Sequence, residues 1–151
     1  MKGLVQRVRS ASVAVHGDVV GTIGLGLCLF VGVGREDDRS DALLLADRVV
    51  NLRVFDDEQG RPDRSLLDVG GSLLVVSQFT LLADTRRGRR PSYIAAAAPA
   101  CARPLVEAVV ERARDGGVRV ATGQFGARMD ISLEADGPLT LMLDTKESRR
   151  R

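Results

Sequence analysis

The first part of the chain alternates between hydrophobic and polar residues in the way that half-buried β-strands do. Residues 4–8 and 11–15 keep this two-residue period, and residues 19–23 resume it after Gly17-Asp18, a pair typical of a tight hairpin turn. Residues 25–33 form a continuous apolar run, which indicates a buried strand. We therefore predict a group of strands, with one hairpin, at the start of the fold.

Two later segments repeat their apolar residues at helical spacing. The first follows Asp38 or Ser40, either of which can cap a helix, and its apolar positions are Leu43, Leu44, Ala46, Val49 and Val50. The second covers about residues 100–114, and Pro104 should lie in its first turn or kink it. Asp115-Gly116-Gly117 is typical of a helix end.

Strand-like runs surround the second predicted helix. Residues 73–79 precede it as a central strand, followed by a long Arg-rich loop, and three runs follow it at 118–122, 128–134 and 139–144. The order is strands, helix, strand, helix, strands. This order predicts a mixed α/β domain with both helices packed on one sheet.

Length and composition fit one domain of ordinary size, with 151 residues of which 44% are hydrophobic. No apolar run approaches the roughly 18–20 residues needed to cross a bilayer, so we expect no membrane partner and a cytoplasmic location. Cys28 lies in an apolar run and Cys101 in an alanine-rich segment. We interpret both as small buried hydrophobic side chains rather than as a disulfide or a metal pair.

The charges matter through their distribution, because the net charge is only +2. Four arginines stand together in the polar loop, namely Arg86, Arg87, Arg89 and Arg90. Adjacent guanidinium groups repel one another unless anions or carboxylates neutralise them. The cluster is therefore either a solvated loop or a contact for phosphates, and the sequence leaves both interpretations open.

The side chains on which most hydrolases depend are largely missing. His16 is the one histidine, and it stands at the predicted hairpin turn. The chain contains no G-x-S-x-G motif and no cysteine and histidine spacing typical of zinc. An enzyme with this sequence is expected to work without a metal, a cofactor or a histidine base.

Two short polar segments stand at strand ends, where main-chain groups are free to meet a ligand. Ser77-Gln78-Phe79-Thr80 closes the run 73–79, and Gly137-Pro138-Leu139-Thr140 lies between the last two runs. Together they resemble the paired signature of the D-aminoacyl-tRNA deacylases, in which the first motif begins with Ser-Gln and the second has the form NxGPxT. The resemblance extends nearly from end to end, although Ala135 stands where that family usually has asparagine.

That resemblance implies a fold and an activity. The fold is a single three-layer β/β/α domain over residues 1–145, with mixed, mostly antiparallel sheets and two main helices. A basic tail over residues 146–151 is expected to be disordered. The resemblance further implies a homodimer with active sites at the interface, which hydrolyses the ester between a D-amino acid, or a misplaced glycine, and the terminal adenosine of tRNA.

The resemblance also implies roles for the first motif. The amides of Gln78 and Phe79 would face the reacting carbonyl and stabilise the oxyanion, and Phe79 would pack near the terminal adenosine. Ser77 and Thr80 would position groups or water, because nothing in the sequence can deprotonate them. The alternatives are a core aromatic for Phe79 and ordinary strand-end hydrogen bonding for Ser77 and Thr80.

In the family that the second motif resembles, Gly137-Pro138 is a cis dipeptide that projects into the partner's active site. Its carbonyls hold the amino group of a D-residue, and it excludes an L side chain by steric clash. By resemblance Arg7 helps to fix this dipeptide and Thr140 supports it. Phe125 and Met129 resemble residues that line the pocket, and two core side chains are the alternative.

Three rival functions follow from the same residues. The first is a related deacylase of relaxed chirality that clears L-amino acids from mischarged tRNA. The second is a tRNA-binding module without activity that uses the arginine cluster. The third is a structural dimer with no role in RNA metabolism, which would show no salt-dependent binding of tRNA.

Overall fold

Eight strands and two α-helices make up the described part of the computed structural model, which covers residues 1–86 and 88–147. A 3₁₀-helix spans Phe79–Leu82. The elements are β1 (Lys2–Val15), β2 (Asp18–Ile23), β3 (Gly26–Gly32), α1 (Arg39–Asn51), β4 (Phe55–Asp56), β5 (Pro62–Arg64), β6 (Ser72–Ser77), α2 (Pro99–Asp115), β7 (Arg119–Thr122) and β8 (Asp130–Asp144).

Strand β1 pairs with three other strands of the sheet. Its first half pairs antiparallel with β3 and its second half with β2, while β8 runs antiparallel along nearly its whole length. The sequence predicted two strands here, over residues 4–8 and 11–15, and Arg9 and Ser10 between them are exposed. The backbone instead continues as one strand, in which Val5 packs in one hydrophobic core and Ala11 and Val13 pack in another.

The expected hairpin joins β1 to β2. His16 and Gly17 form its tip with φ angles of 53° and 87°, which is the left-handed pair of a type I′ turn. The imidazole of His16 is exposed. The one histidine of the chain therefore lies on a turn at the surface, as the sequence indicated.

The layers follow from the two faces of β3 and β6, which pair in parallel. Leu27, Leu29 and Val75 point toward the helices and belong to the larger core. Their neighbours Cys28 and Leu74 point the other way, into a second core. That second core also contains apolar residues of β1 and β2 and is covered by β8. The molecule thus has a mixed sheet, a second β layer and a helical layer. This arrangement confirms the predicted three-layer β/β/α fold.

The two helices begin where the capping chemistry favours them. Asp38 is the N-cap of α1, accepting from the N–H groups of Ser40 and Asp41, and Asp41 completes a capping box. Helix α2 begins at Pro99, one residue earlier than expected. Proline is favoured at that first position because its missing N–H has no partner there in any case. Pro104 consequently lies inside the helix, on its exposed face.

A buried polar cluster ties the two ends of the chain to α1. The Asp41 carboxylate accepts from the Thr145 hydroxyl at 2.8 Å and from the Lys146 ammonium at 3.0 Å. The N-terminal ammonium of Met1 donates to Thr145 Oγ1 at 2.6 Å. Burial disfavours the charged form of Asp41, but these hydrogen bonds and the Asp38 N–H outweigh it and lower its pKa to about 2.

The structure changes the interpretation of three smaller features. Cys28 is buried, which raises the pKa of its thiol to about 12, whereas Cys101 is exposed, contrary to the prediction for it. Lys146, which the sequence assigned to the tail, is held by Asp41. The remainder of that tail over residues 148–151 lies outside the described residues. No helix in the described part of the chain is long and apolar enough to span a membrane.

Candidate active site

A cavity of about 590 Å³ opens at the end of β6, between the start of α2 and the segment that leads into β8. Its wall contains Ser77, Gln78 and Phe79 of the first motif. Phe125 and Met129 line the same cavity. The structure thus brings together five candidate residues from two segments that are distant in the sequence. Thr80, the sixth, directly follows Phe79.

The main chain turns sharply at the mouth of this cavity. Strand β6 ends at Ser77, and the Gln78 N–H donates to the carbonyl of Val31 at 2.7 Å. This bond contradicts the expectation that the Gln78 amide is free to face a substrate. The N–H groups of Phe79 and Thr80 open the 3₁₀-helix, where helix geometry provides no internal acceptor. They are the two adjacent donors that this turn can offer to an anion.

The side chains of the motif are arranged around that turn. Phe79 is 57% exposed and meets the ring of Tyr93 edge to face, with 5.0 Å between the centroids. It is therefore a surface aromatic and not a core residue. The Gln78 amide nitrogen donates to the Thr80 hydroxyl. Thr80 Oγ1 is thus held by a neutral donor, with no base among the contacts described for it.

Phe125 and Met129 are partly buried side chains on the opposite wall. Both pack against the cores, Phe125 on the larger and Met129 on the second, so the pocket and core interpretations hold together. The guanidinium of Arg103 lies 4.8 Å from the Phe125 ring centroid, a cation–π distance. Sequence reasoning missed Tyr93, which lines the cavity, and Arg103, which contacts its wall through Phe125, because neither stands in a motif.

The second motif lies elsewhere on the protomer. Gly137-Pro138 has a cis peptide bond and sits in the middle of β8, away from the described lining of the cavity. Gly137 has φ 128°, and a β-carbon there would lie 2.9 Å from the N of Leu139, so a side chain is excluded. Within one chain the two motifs therefore do not meet.

Arg7 contacts the residue that precedes this dipeptide, and Thr140 follows it on β8. Arg7 is 9% exposed, and its guanidinium donates to the carbonyls of Val54 at 2.5 Å and Asp136 at 3.3 Å. Thr140 accepts from the Gln6 side-chain amide at 3.3 Å. The second motif is thus fixed by residues of β1 that lie far from it in the sequence.

The arginine loop is less uniform than its sequence. Arg86 donates to Asp84 through two nitrogens, at 2.9 and 2.7 Å, and this pairing lowers the pKa of the carboxyl well below its usual range. Arg89 and Arg90 are exposed. Arg87 lies outside the described residues. The charge of Arg86 is thus already neutralised within the loop. Among the described residues of the loop, Arg89 and Arg90 remain as candidates for phosphate contacts.

The chemistry of the cavity is that of the main chain and of aromatic side chains. No group of three or more metal-ligating side chains occurs among residues 1–86 and 88–147. His16 lies on the turn between β1 and β2 and does not line the cavity. The arrangement can stabilise a developing oxyanion with N–H donors and can stack a flat ring on Phe79.

Comparison with known proteins identifies the family. A family model described as "D-Tyr-tRNA(Tyr) deacylase" matches residues 4–144, which include both motifs. The chain belongs to this family. A D-aminoacyl-tRNA deacylase of Thermomicrobium roseum is 58% identical over 149 residues, covering 99% of this chain and 97% of that one. Another, from Thermus aquaticus, is 52% identical and covers 97% of each chain.

Solved structures of similar fold extend the comparison. A protein described as "c-Myc DNA Unwinding Element Binding Protein" is 35% identical, with a TM-score of 0.89 over 95% of this chain and 98% of that chain. A probable eukaryotic D-amino acid tRNA deacylase has a TM-score of 0.84 over 94% and 97% of the two chains. It is 17% identical, so that likeness concerns the fold alone.

Proposed function

We propose that this protein is a D-aminoacyl-tRNA deacylase, which hydrolyses the ester between a D-amino acid and the 3′-terminal adenosine of tRNA. The observation that carries the proposal is the pair of N–H donors at Phe79 and Thr80, placed at the mouth of a cavity beside an exposed aromatic ring. The names of the curated relatives support the same reaction.

Main-chain catalysis suits this substrate, because an aminoacyl ester is already activated. In the proposed reaction a water oxygen bonds to the ester carbonyl carbon, and the bond to the ribose 3′ oxygen breaks. The departing oxygen takes the proton that the water gives up, with help from the neighbouring ribose hydroxyl. The protein holds the ester in place and stabilises the oxyanion through the Phe79 and Thr80 amides.

Phe79 is proposed to receive the terminal adenine. Its ring is braced by Tyr93 on one edge and is otherwise largely open to solvent. Base stacking on an aromatic side chain is tolerant of sequence, which suits an enzyme that must accept many tRNAs. Phosphates of the same strand would be contacted by Arg89 and Arg90, which makes binding sensitive to salt.

Chiral selection is proposed to require a second copy of the chain. Gly137-Pro138 lies outside the described lining of its own cavity, which supports a role in the active site of a partner. Leu141 and Met142, just beyond it on β8, are 39% and 53% exposed, and a homodimer would cover them. The dipeptide would hold the amino group of a D-residue and clash with an L side chain. Glycine has no side chain to exclude, so glycyl-tRNA is expected to be a second substrate.

The test is hydrolysis of D-tyrosyl-tRNA beside L-tyrosyl-tRNA, with EDTA present and no metal added. Rapid loss of the D-ester alone would support the activity, its chirality and its independence of metal. Loss of both esters would indicate a deacylase of relaxed chirality. Loss of neither, together with salt-dependent binding of tRNA, would refute the proposal in favour of a binding module.

A further inference from the structure

The pairing between β1 and β8 is interrupted where the second motif lies. The register steps from Val8 opposite Ala135 to Gln6 opposite Thr140. Residues 136–139 therefore bulge out opposite a single residue of β1, which is Arg7. A segment that lacks regular main-chain hydrogen bonds to the neighbouring strand depends on side chains to fix its orientation. The orientation of Gly137-Pro138 must accordingly come from the groups that hold the bulge.

Arg7 is the central group of that support, and its charge needs a partner because it is nearly buried. Two carbonyls accept from it, but carbonyls do not neutralise a guanidinium. Asp136 Oδ2 lies 3.1 Å from Arg7 Nε, whereas the half-exposed carboxylate of Asp56 lies 3.7 Å from Nη1. Asp136 is therefore the nearer of the two carboxylates that compensate Arg7.

Asp136 is itself held from the other side. Its Oδ1 lies 3.4 Å from Arg9 Nη2, so one carboxylate bridges the two arginines of β1 that flank Val8. Arg9 also approaches Glu134 at 3.7 Å, with both side chains well exposed. Ala135, between these acids, offers no hydrogen-bonding side chain. The carboxylate and the carbonyl of Asp136 thus clamp the bulge to β1 immediately before Gly137.

We propose that Asp136 is a positioning residue for chiral selection, acting through Arg7 on the orientation of Gly137-Pro138. The inference rests on the proposed function, since it assigns to this side chain part of the selectivity of the same reaction. Asp136 does not touch the reacting atoms. It sets the direction of the dipeptide whose carbonyls and ring decide which hand of amino acid fits.

The experiment compares wild-type protein with Asp136→Ala and with the isosteric Asp136→Asn, using D-tyrosyl-tRNA and L-tyrosyl-tRNA. The measured quantity is the ratio of kcat/KM for the two esters. We expect Asp136→Ala to lower this ratio by about tenfold or more, since it removes the nearer charged partner of a buried arginine. Asp136→Asn keeps an acceptor without the charge and should restore part of the ratio.

Glu134→Ala is the matched control, because it removes an exposed carboxylate from the same strand that contacts Arg9 but not Arg7. It should leave the D-to-L ratio unchanged. A D-to-L ratio in folded Asp136→Asn and Asp136→Ala within twofold of wild type would overturn the inference, even if their Tm fell. If wild type hydrolyses neither ester, the proposed function fails first, and this inference fails with it.

Discussion

Gly32 lies at the end of β3, directly beneath the 3₁₀-helix that carries the N–H donors of the site. A β-carbon placed there would lie 2.5 Å from Leu82 Cδ2, 3.0 Å from Leu81 Cβ and 3.1 Å from the carbonyl oxygen of Gln78. The first of these atoms ends a flexible side chain and can swing away. The other two belong to the backbone or stand next to it, so Gly32→Ala must displace the turn itself.

The size of that displacement follows from ordinary packing distances. Non-bonded carbon atoms favour separations of about 3.5–4.0 Å, so Leu81 must retreat by about 0.5 Å. Overpacking of this kind destabilises a protein by about 1–3 kcal/mol. A misplacement of about 1 Å costs a reaction roughly a hundredfold in rate, so half that distance predicts roughly a tenfold loss of kcat.

The assay pairs urea unfolding with the kinetics of D-tyrosyl-tRNA hydrolysis. Gly3→Ala is the matched control, because its β-carbon would lie 2.9 Å from Leu45 Cδ1 and 3.0 Å from Leu29 Cδ1, in the core beneath α1. Both contacts are side-chain ends enclosed in a close-packed core, so Gly3→Ala should lose stability without loss of kcat. Gly24→Ala, with nothing within 4 Å of its β-carbon, should change neither quantity.

The reasoning is refuted if Gly32→Ala loses stability but its kcat stays within twofold of that of Gly3→Ala. Such a result would mean that the 3₁₀-helix absorbs the added methyl group without moving its donors, or that those donors do not limit the rate. A fall in kcat with unchanged KM would instead locate the damage in the stabilisation of the transition state.

Three further predictions test separate parts of the proposal. Thr80→Ala keeps the main-chain N–H and should retain the single-turnover rate to within about tenfold, whereas a loss of several orders of magnitude would point to a side-chain nucleophile. The double change of Arg89 and Arg90 to alanine should reduce the slope of log affinity for tRNA against log salt by about 1 to 2, while Arg86→Ala, whose charge is already paired, should leave it unchanged. The pKa of Asp41 is lowered to about 2, so its contribution to stability is complete above the unfolded value of about 3.9 and is lost as the pH falls toward 2. The urea midpoint of the wild type should therefore drop between pH 7 and pH 3, and that pH dependence should be weaker in Asp41→Asn.

Local patterns predicted the elements well but not where the backbone changes direction. The polar residues Ser77 and Gln78 indicate that the strand ends near them, but nothing in the sequence indicates that a 3₁₀-helix follows at Phe79–Leu82. The bond from the Gln78 N–H to Val31 decides that point, and it joins residues far apart in the chain. Alternation and spacing cannot encode such a bond.

Other features could have been taken from the sequence and were not. The buried positions of α2 include Ala102, Val106, Val109 and Ala113, which recur at helical spacing. Cys101 stands one residue off that stripe, and its exposure follows from the periodicity alone. The alanine-rich surroundings of Cys101 suggested burial because small apolar residues resemble a core when their phase is ignored.

The bulge in β8 belongs to a class of feature that no single segment can predict. Residues 128–134 and 139–144 read as two strands, because Gly137-Pro138 interrupts their alternation, yet β8 is one strand paired along β1. Arg7 and Asp136 meet across 129 positions of sequence. The motif identified the dipeptide, but the residues that fix its orientation become visible only once the register of β1 and β8 is known.

The position of β8 bears directly on the proposed dimer. Ile131, at the start of this strand, lines the cavity of its own protomer, whereas Gly137-Pro138 lies farther along and outside that cavity. In a two-fold symmetric pair each surface patch meets its own equivalent, so a dipeptide that enters the partner's cavity implies the reciprocal entry. The two active sites of the dimer would then be completed together, each by the dipeptide of the other protomer. Displacement of the bulge in β8 would alter the selectivity of the partner's site, without moving the N–H donors of either protomer. The ratio of D to L hydrolysis is therefore a more specific readout of Asp136 than the rate with either ester.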